Sequence, residues 1–226
     1  MRVIILADGP AKRWNHLVPK HLITLRGEVL LHRTLRQVMS RGITDVWITS
    51  HDPRYAVSGA IRFEPEDNRF QIDQFYACRL LWHPCDNTPV VFLYGDVWFS
   101  DAAIDVILGA STAEYLYFQR TGASKITGKK WKEGFAMKVA DTKAFHSALA
   151  ALRTELVEGK VVDEHHQLQG YLEGFGMGPY WDIGPHGIEI YDETEDFDFP
   201  EDISVWLDHT SGNPVLIQTP ETREDP

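Results

Sequence analysis

The sequence is short of cysteine, of basic residues and of long apolar runs. Its two cysteines, Cys78 and Cys85, lie seven apart and offer neither a disulfide framework nor zinc-ligand spacing, so both are expected as buried thiols. The most apolar runs, Val3–Ala7 and Pro89–Tyr94, fall far short of the roughly 20 residues a spanning helix needs. The start of the chain is no signal segment, because its apolar run breaks at Asp8. A chain without span, signal or disulfide framework is expected in the cytoplasm and off the membrane. Lys and Arg number 22 against 33 Asp and Glu, a net charge of −11. That balance excludes general affinity for nucleic acid, whose phosphate backbone needs a basic surface. A few placed cations could still hold one nucleotide. The G-K-[ST] of a Walker A loop is missing, as is the G-x-G-x-x-G of a dinucleotide site. No Ser/His/Asp or Cys/His nucleophile motif stands out.

What is present is an alternation of short apolar strands and amphipathic helices. Val3–Leu6 reads as a buried strand ending at Gly9. After the turn Arg26-Gly27-Glu28, the residues Leu30, Leu31, Leu35, Val38 and Met39 sit at helical spacing, and Gly42 ends that helix. Asp45–Ser50 reads as a second strand, so the opening is a βαβ unit with parallel strands. Segment 53–69 is polar and irregular, and Phe70–Leu81 reads as a helix with Phe75, Cys78 and Leu81 inward. Val90–Tyr94 is the strongest strand and runs into Gly95-Asp96. A helix is expected to begin at Ile104–Leu108, strands at Tyr115–Gln119 and Gly134–Val139, and a helix over Phe145–Leu156 with Leu149, Leu152 and Leu156 on one face. Region 174–188 reads as loop, Ile203–Leu207 as a helical turn, and 219–226 as a frayed tail. Without repeat or linker, residues 1–226 read as one α/β domain.

Three segments carry chemistry. The first is Leu6-Ala7-Asp8-Gly9-Pro10-Ala11-Lys12-Arg13, followed by Pro19-Lys20: a strand delivers a glycine loop, whose backbone N–H groups can line phosphates, and then cations that neutralise them. The second is Gly95-Asp96, a carboxylate at the carboxyl end of a central strand, where open α/β sheets bind ligands. The third is Glu195–Asp202, within the stretch Asp192–Asp202 that holds seven acidic residues in eleven and no basic one. It reads either as a solvated loop capping a helix at Glu201 or Asp202, or as a source of ligands for a hard cation alongside Asp96.

Together these segments resemble the nucleotidyltransferases that join a nucleoside triphosphate to a phosphorylated sugar, choline or polyol. That family's opening motif reads roughly L-A-A-G-x-G-x-R, then P-K-x-L. It stands here as Leu6–Arg13 and Pro19-Lys20-His21-Leu22. Its G-x-P-L-L, its G-I before a strand, its strand-end G-D and its late D-x-P-E-D match Gly27–Leu31, Gly42-Ile43, Gly95-Asp96 and Asp198–Asp202, in order along nearly the whole chain. The resemblance implies a GT-A-type, Rossmann-like three-layer α/β sandwich with a mixed, mostly parallel sheet. It implies transfer of a nucleoside monophosphate from an NTP to a phosphorylated small molecule, with pyrophosphate released. Leu6, Ala7, Asp8 and Gly9 would line the nucleotide, Lys20 would contact the α-phosphate and Arg13 the β- and γ-phosphates. Asp96 and Asp198 would hold Mg²⁺, with Asp196 and then Asp182 as further candidates for the second ligand. The chain departs from the pattern at Asp8, Pro10 and Ala11: Asp8 adds charge beside the phosphates, and Pro10 removes a backbone donor.

Two other readings stand beside this one. Asp196-Phe197-Asp198 is a D-x-D, as a glycosyltransferase using a finished nucleotide-sugar would carry, though it lies near the C-terminus. Asp8, Pro10 and Ala11 also suit a non-catalytic nucleotide-binding module. Lys125, Lys129, Lys130 and Lys132 around Trp131 read as a solvated basic loop or as a grip for the acceptor phosphate. Trp98 and Trp181 are candidates to line an acceptor pocket. His165-His166 with Asp163 and Glu164, and the glycines of 174–179, read as exposed polar stretch and flexible loop.

Overall fold

A computed structural model of the chain describes residues 1–7, 13–14, 17–64, 88–130, 132–158 and 186–211. The helix expected over Phe70–Leu81, both cysteines, His165-His166, Asp182, Trp131, Trp181, segment 174–185 and the tail 219–226 lie outside these residues.

The centre of the fold is β1, Arg2–Leu6, which is apolar on both faces from Val3 onward and wholly buried. A strand of that kind is stable only with neighbours on both edges and layers on both sides. It pairs in parallel with β4 (Val46–Thr49) on one edge and β6 (Val90–Tyr94) on the other. A short hairpin, β2 (Thr24–Leu25) and β3 (Glu28–Val29), leads into α1 (Leu30–Met39), which crosses from β1 to β4. The hairpin turn is Arg26-Gly27, both at positive φ (51° and 82°), the conformation of a tight two-residue reversal. Gly27 adopts it freely. Arg26 is held there by its carbonyl partner Thr210 and by the faces of Trp206 and Trp98.

The sheet is completed by β5 (Ile61–Phe63), β8 (Tyr115–Arg120), β9 (Glu133–Val139) and β10 (Gly187–Glu189), in the seven-stranded order β10-β8-β9-β6-β1-β4-β5. Only β9 runs antiparallel, to β6 and β8; the other pairings are parallel. The expected mixed, mostly parallel sheet is therefore present. Alternate residues feed two layers. Val3, Ile5, Val91 and Leu93 pack with Leu31, Leu35 and Val38 of α1 and with Ala103, Ile104 and Ile107 of α2 (Asp101–Gly109). On the opposite face Phe92 meets Phe145 of α3 (Thr142–Val157), ring centroids 6.2 Å apart. Each such buried side chain contributes about 1.5–3 kcal/mol.

Some boundaries differ from the sequence reading. Segment 53–69 holds a 3₁₀ turn at Pro53–Tyr55 and the edge strand β5, too short to show a period. Helix α2 starts at Asp101 because Ser100 caps it, its Oγ accepting from Ala103 N at 2.9 Å. Gly187-Ile188, read as loop, belong to β10. Met39, read as part of the helix's inward stripe, is exposed. The helical turn at 203–207 is the middle of a longer helix, α4 (Pro200–Thr210), opened by a proline in its first turn. Leu149, Leu152 and Leu156 lie on α3, but their side chains are outside the described set.

A smaller sheet sets the geometry that matters most. Val97–Trp98 (β7) pairs antiparallel with Glu195–Asp196 (β11), in register Asp196 to Val97 and Glu195 to Trp98. Beneath it Trp14, Ile23, Leu25, Leu30, Trp98, Phe197 and Trp206 form a satellite core. It ties the loop after β1, the β2–β3 hairpin and the acidic segment into one body.

Gly95, between β6 and β7, cannot carry a side chain: a Cβ there would stand 2.5 Å from the Leu6 carbonyl oxygen and 3.0 Å from His21 Cδ2. Its N–H donates to that same carbonyl at 2.9 Å. Gly95→Ala is expected to cost about 1–3 kcal/mol, read as a melting temperature lowered by roughly 5 °C.

Candidate active site

β1 lies between β4 and β6, and the chain leaves it towards both edges. This reversal is the topological switch point of an open α/β sheet, and the crevice at the strands' carboxyl ends is where such sheets bind ligands. Lys20 reaches it from a 3₁₀ turn (Lys20–Leu22) that Pro19 precedes. Asp96 reaches it one residue past Gly95. Lys20 Nζ and the Asp96 carboxylate form an ion pair in this crevice. Burial works against the charge on Lys20, but Asp96, Asp196 and Asp198 outweigh it and raise its pKa. Burial likewise opposes charge on Asp96, and Lys20 and His21 hold its carboxyl below the usual range. His21 is buried, with Nδ1 2.9 Å from the Tyr55 hydroxyl, and desolvation pushes its pKa down to about 4, so it stands neutral beside Lys20.

The acidic segment is not a solvated loop. Glu195, Asp196, Asp198 and Asp202 are all buried, and each meets a partner. Glu195 takes Arg120 Nη1 at 2.9 Å and the Ser124 hydroxyl. Asp198 takes Arg13 Nη2 at 2.9 Å, with the guanidinium 5.7 Å from the Phe199 ring centre. Asp202 accepts from the backbone N–H of Phe199 at 2.9 Å and Asp198 at 3.0 Å, closing the first turn of α4 as a capping carboxylate does. The Phe197 N–H reaches the Asp96 carbonyl at 3.3 Å, which brings the second and third sequence segments side by side.

Two further residues arrive from the β8–β9 connection. Lys129, expected on a solvated basic loop, is buried beneath the acidic segment. Glu133 opens β9, and its carboxylate oxygen lies with those of Asp196 and Asp198 within 4.8 Å of one another. Burial, and then the Asp198 and Asp96 carboxylates, push Glu133 up to about 7 against the pull of Lys129. Burial, with Asp96 and Glu133, also raises the Asp196 carboxyl well above its ordinary range. Neither Lys129 nor Glu133 carries a local motif that announces it; the turn Ser124–Lys129 places the first and the β8–β9 pairing, Arg120 to Glu133, the second.

Of the residues expected from sequence, Arg13, Lys20, Asp96, Asp196 and Asp198 are brought into one crevice. Leu6 ends β1 and its carbonyl serves Gly95. Ala7 is buried, and its N–H goes to Thr49, 3.2 Å from the carbonyl and 3.3 Å from Oγ1. Asp8, Gly9, Pro10, Ala11 and Lys12 lie outside the described residues, as does Asp182. Trp98 is buried and packs against Trp206 in the satellite core, with Arg33 3.9 Å over its ring.

The α/β fold is similar to that of solved nucleotidyltransferases. Solved structures of similar fold include CTP:phosphocholine cytidylyltransferase from Streptococcus pneumoniae, with TM-score 0.61 and 13% identity over 92% of this chain and 98% of that one. The 2-C-methyl-D-erythritol 4-phosphate cytidylyltransferase from Thermus thermophilus aligns with TM-score 0.59 and 16% identity over 93% and 98% of the two chains. The inositol-1-phosphate CTP transferase from T. maritima gives 0.57 and 13% over 95% and 98%. Neither a family model nor a curated protein matches the sequence. Among the described residues no helix is long and apolar enough to cross a membrane.

The Glu133 shift has a measurable sign. An unfolded glutamate takes its proton near 4.5, and the folded Glu133 takes it near 7. Between these values the folded state binds more proton, so Glu133 lowers stability as pH rises through that window. Glu133→Gln is therefore expected to melt several degrees above the parent above pH 7 in EDTA, with the margin gone below pH 4.5. A margin independent of pH would contradict the placement of Glu133 among carboxylates.

Proposed function

We propose that this chain transfers a nucleoside monophosphate from an NTP to a phosphorylated small molecule (a sugar, polyol or choline phosphate) and releases pyrophosphate. The observation that carries the reading is the pairing of two cations with two carboxylates in the switch-point crevice, Lys20 with Asp96 and Arg13 with Asp198. The solved structures of similar fold support it, since by their names they are transferases for phosphocholine, methylerythritol phosphate and inositol phosphate. The enzyme acts as a cytoplasmic single domain, and the acid excess keeps it from nucleic acid.

In this reading the chemistry needs charge handling more than proton transfer. A phosphomonoester acceptor is already anionic, so it attacks the α-phosphorus without a strong base. The obstacle is bringing two anions together. Lys20, kept protonated by its carboxylate neighbours, meets the α-phosphate, and Arg13, which is largely exposed, reaches the outer phosphates. A bound triphosphate draws Lys20 from Asp96 and Arg13 from Asp198, and both carboxylates are freed as oxygen donors. Backbone at Leu6, Ala7, Asp8 and Gly9 borders the nucleotide.

The donor set fits a hard divalent cation. Glu133, Asp196 and Asp198 present oxygens within 4.8 Å of one another. Asp198 and Asp196, with Glu133 and with Asp96 once it leaves Lys20, are the residues that would hold Mg²⁺. Bound there, the ion would supply charge stabilisation to the phosphates.

The test is a pyrophosphate-release screen of four NTPs against phosphorylated sugars, polyols and choline. One NTP–acceptor pair is expected to turn over, to stop in EDTA and to resume with magnesium. Nucleotide binding without release for any acceptor would favour a binding module, and glycosyl transfer without pyrophosphate would favour a glycosyltransferase. Lys20→Ala and Asp96→Asn should each lower turnover by about 10²–10³ in a chain that remains folded. A folded Asp96→Asn enzyme with parental turnover would sink the metal assignment.

A further inference from the structure

Lys129 stands where a lysine is hard to accommodate. Its side chain is 3% exposed, and an ammonium out of water is tolerated only with close anionic partners. A compact turn aims it inward: Ser124 N–H donates to the Lys129 carbonyl at 2.8 Å, Gly128 N–H to the Ser124 carbonyl at 3.2 Å, and the Ser124 hydroxyl oxygen accepts from Ile126 and Thr127, both at 3.0 Å. The ammonium then donates to the Asp196 carbonyl at 2.6 Å. It lies 3.1 Å from Asp202 Oδ2, 3.5 Å from Asp196 Oδ2 and 3.6 Å from Asp198 Oδ2. The ammonium is thus buried among a carbonyl and three carboxylates. It is therefore not poised to grip an acceptor phosphate.

We infer that Lys129 is a positioning residue, the resident cation that keeps Asp196 and Asp198 assembled before any metal or nucleotide arrives. This rests on the reading of those two aspartates as metal-holding groups. Asp196, Asp198 and Asp202, three carboxylates within seven residues and all buried, repel each other. The ammonium at their centre, alongside Arg13 on Asp198, offsets that repulsion and also pins the backbone of β11 to the β8–β9 connection. The pins on either side are independent of it: Arg120 and Ser124 hold Glu195, and Trp206 anchors α4 in the satellite core. Removing the charge of Lys129 should therefore loosen the stretch 196–202 while leaving its flanks in place. A divalent ion, which needs the same carboxylates, should then substitute for the missing charge.

Thermal melting of the parent, Lys129→Gln and Lys129→Met in EDTA and in magnesium, without nucleotide, tests this. Lys129→Gln keeps a donor for the Asp196 carbonyl and deletes the charge; Lys129→Met deletes both. In EDTA both variants are expected to melt roughly 10 °C below the parent, and magnesium should restore at least half of that loss while moving the parent only slightly. A lysine with a merely structural role would lower the melting temperature equally in both solutions. An equal loss in both, or no loss in either variant, overturns the inference. A variant too poorly accumulated to melt is refolded from urea instead, and its refolding yield must depend on magnesium where the parent's does not. The outcome is separable from the activity: pyrophosphate release by the parent beside magnesium-blind variants removes the Lys129 assignment alone. Magnesium-rescued variants with no release by the parent remove the proposed reaction alone.

Discussion

Buried charge balance is the constraint from which the site takes its form. The carboxylates of Glu195, Asp196, Asp198 and Asp202 are out of water, and an unpartnered ion in such a place costs several kcal/mol. Each is met by a group from another part of the chain: Arg120 and Ser124, Lys129, or Arg13. The acidic segment can occupy its place only when the β8–β9 connection and the loop after β1 occupy theirs. The site is thus a consequence of closing the fold rather than an addition to it.

The sheet supplies the rigidity this arrangement needs. β1 and β6 are buried on both faces, so their carboxyl ends are held by the whole sandwich, and Gly95 lets the chain pass against Leu6 without a side chain in the way. Asp96 is carried at the end of a stiff strand, while its partner Lys20 sits on a short turn locked by Pro19 and by His21 packed beneath. The β7–β11 pairing then sets Asp196 next to Val97 by register. Preorganised cations and carboxylates of this kind do not have to be gathered when an anionic ligand enters.

The layers of the sandwich were readable because their signals are local. Val3–Leu6, Val90–Tyr94 and the stripe Leu30, Leu31, Leu35, Val38 carry periods that survive in any context. The edge strand at Ile61–Phe63 and the strand at Gly187–Glu189 were not readable, since three residues hold no period and such strands exist by pairing with a neighbour. The start of α2 shifted to Asp101 through one capping hydroxyl. Within the site, Arg13, Lys20, Asp96 and the aspartates near 198 could be picked out because motif order and strand ends mark them. Lys129 and Glu133 could not, because a lysine in a basic run looks the same in a linear sequence whether it faces solvent or a nest of carboxylates.

The linear chain thus determined its element order, its central strands and the residue types available for anion and cation handling, because these depend on neighbours within a few positions. Tertiary structure decided which charges meet. Four of the seven acids of Asp192–Asp202, an apparent solvent-facing excess in a chain of net charge −11, became a buried and compensated cluster. Lys129, Arg120 and Arg13, scattered over more than a hundred positions, became their counter-ions. Coulomb attraction acts through space over a few ångströms and is blind to sequence separation, so only the folded chain could assign those pairs.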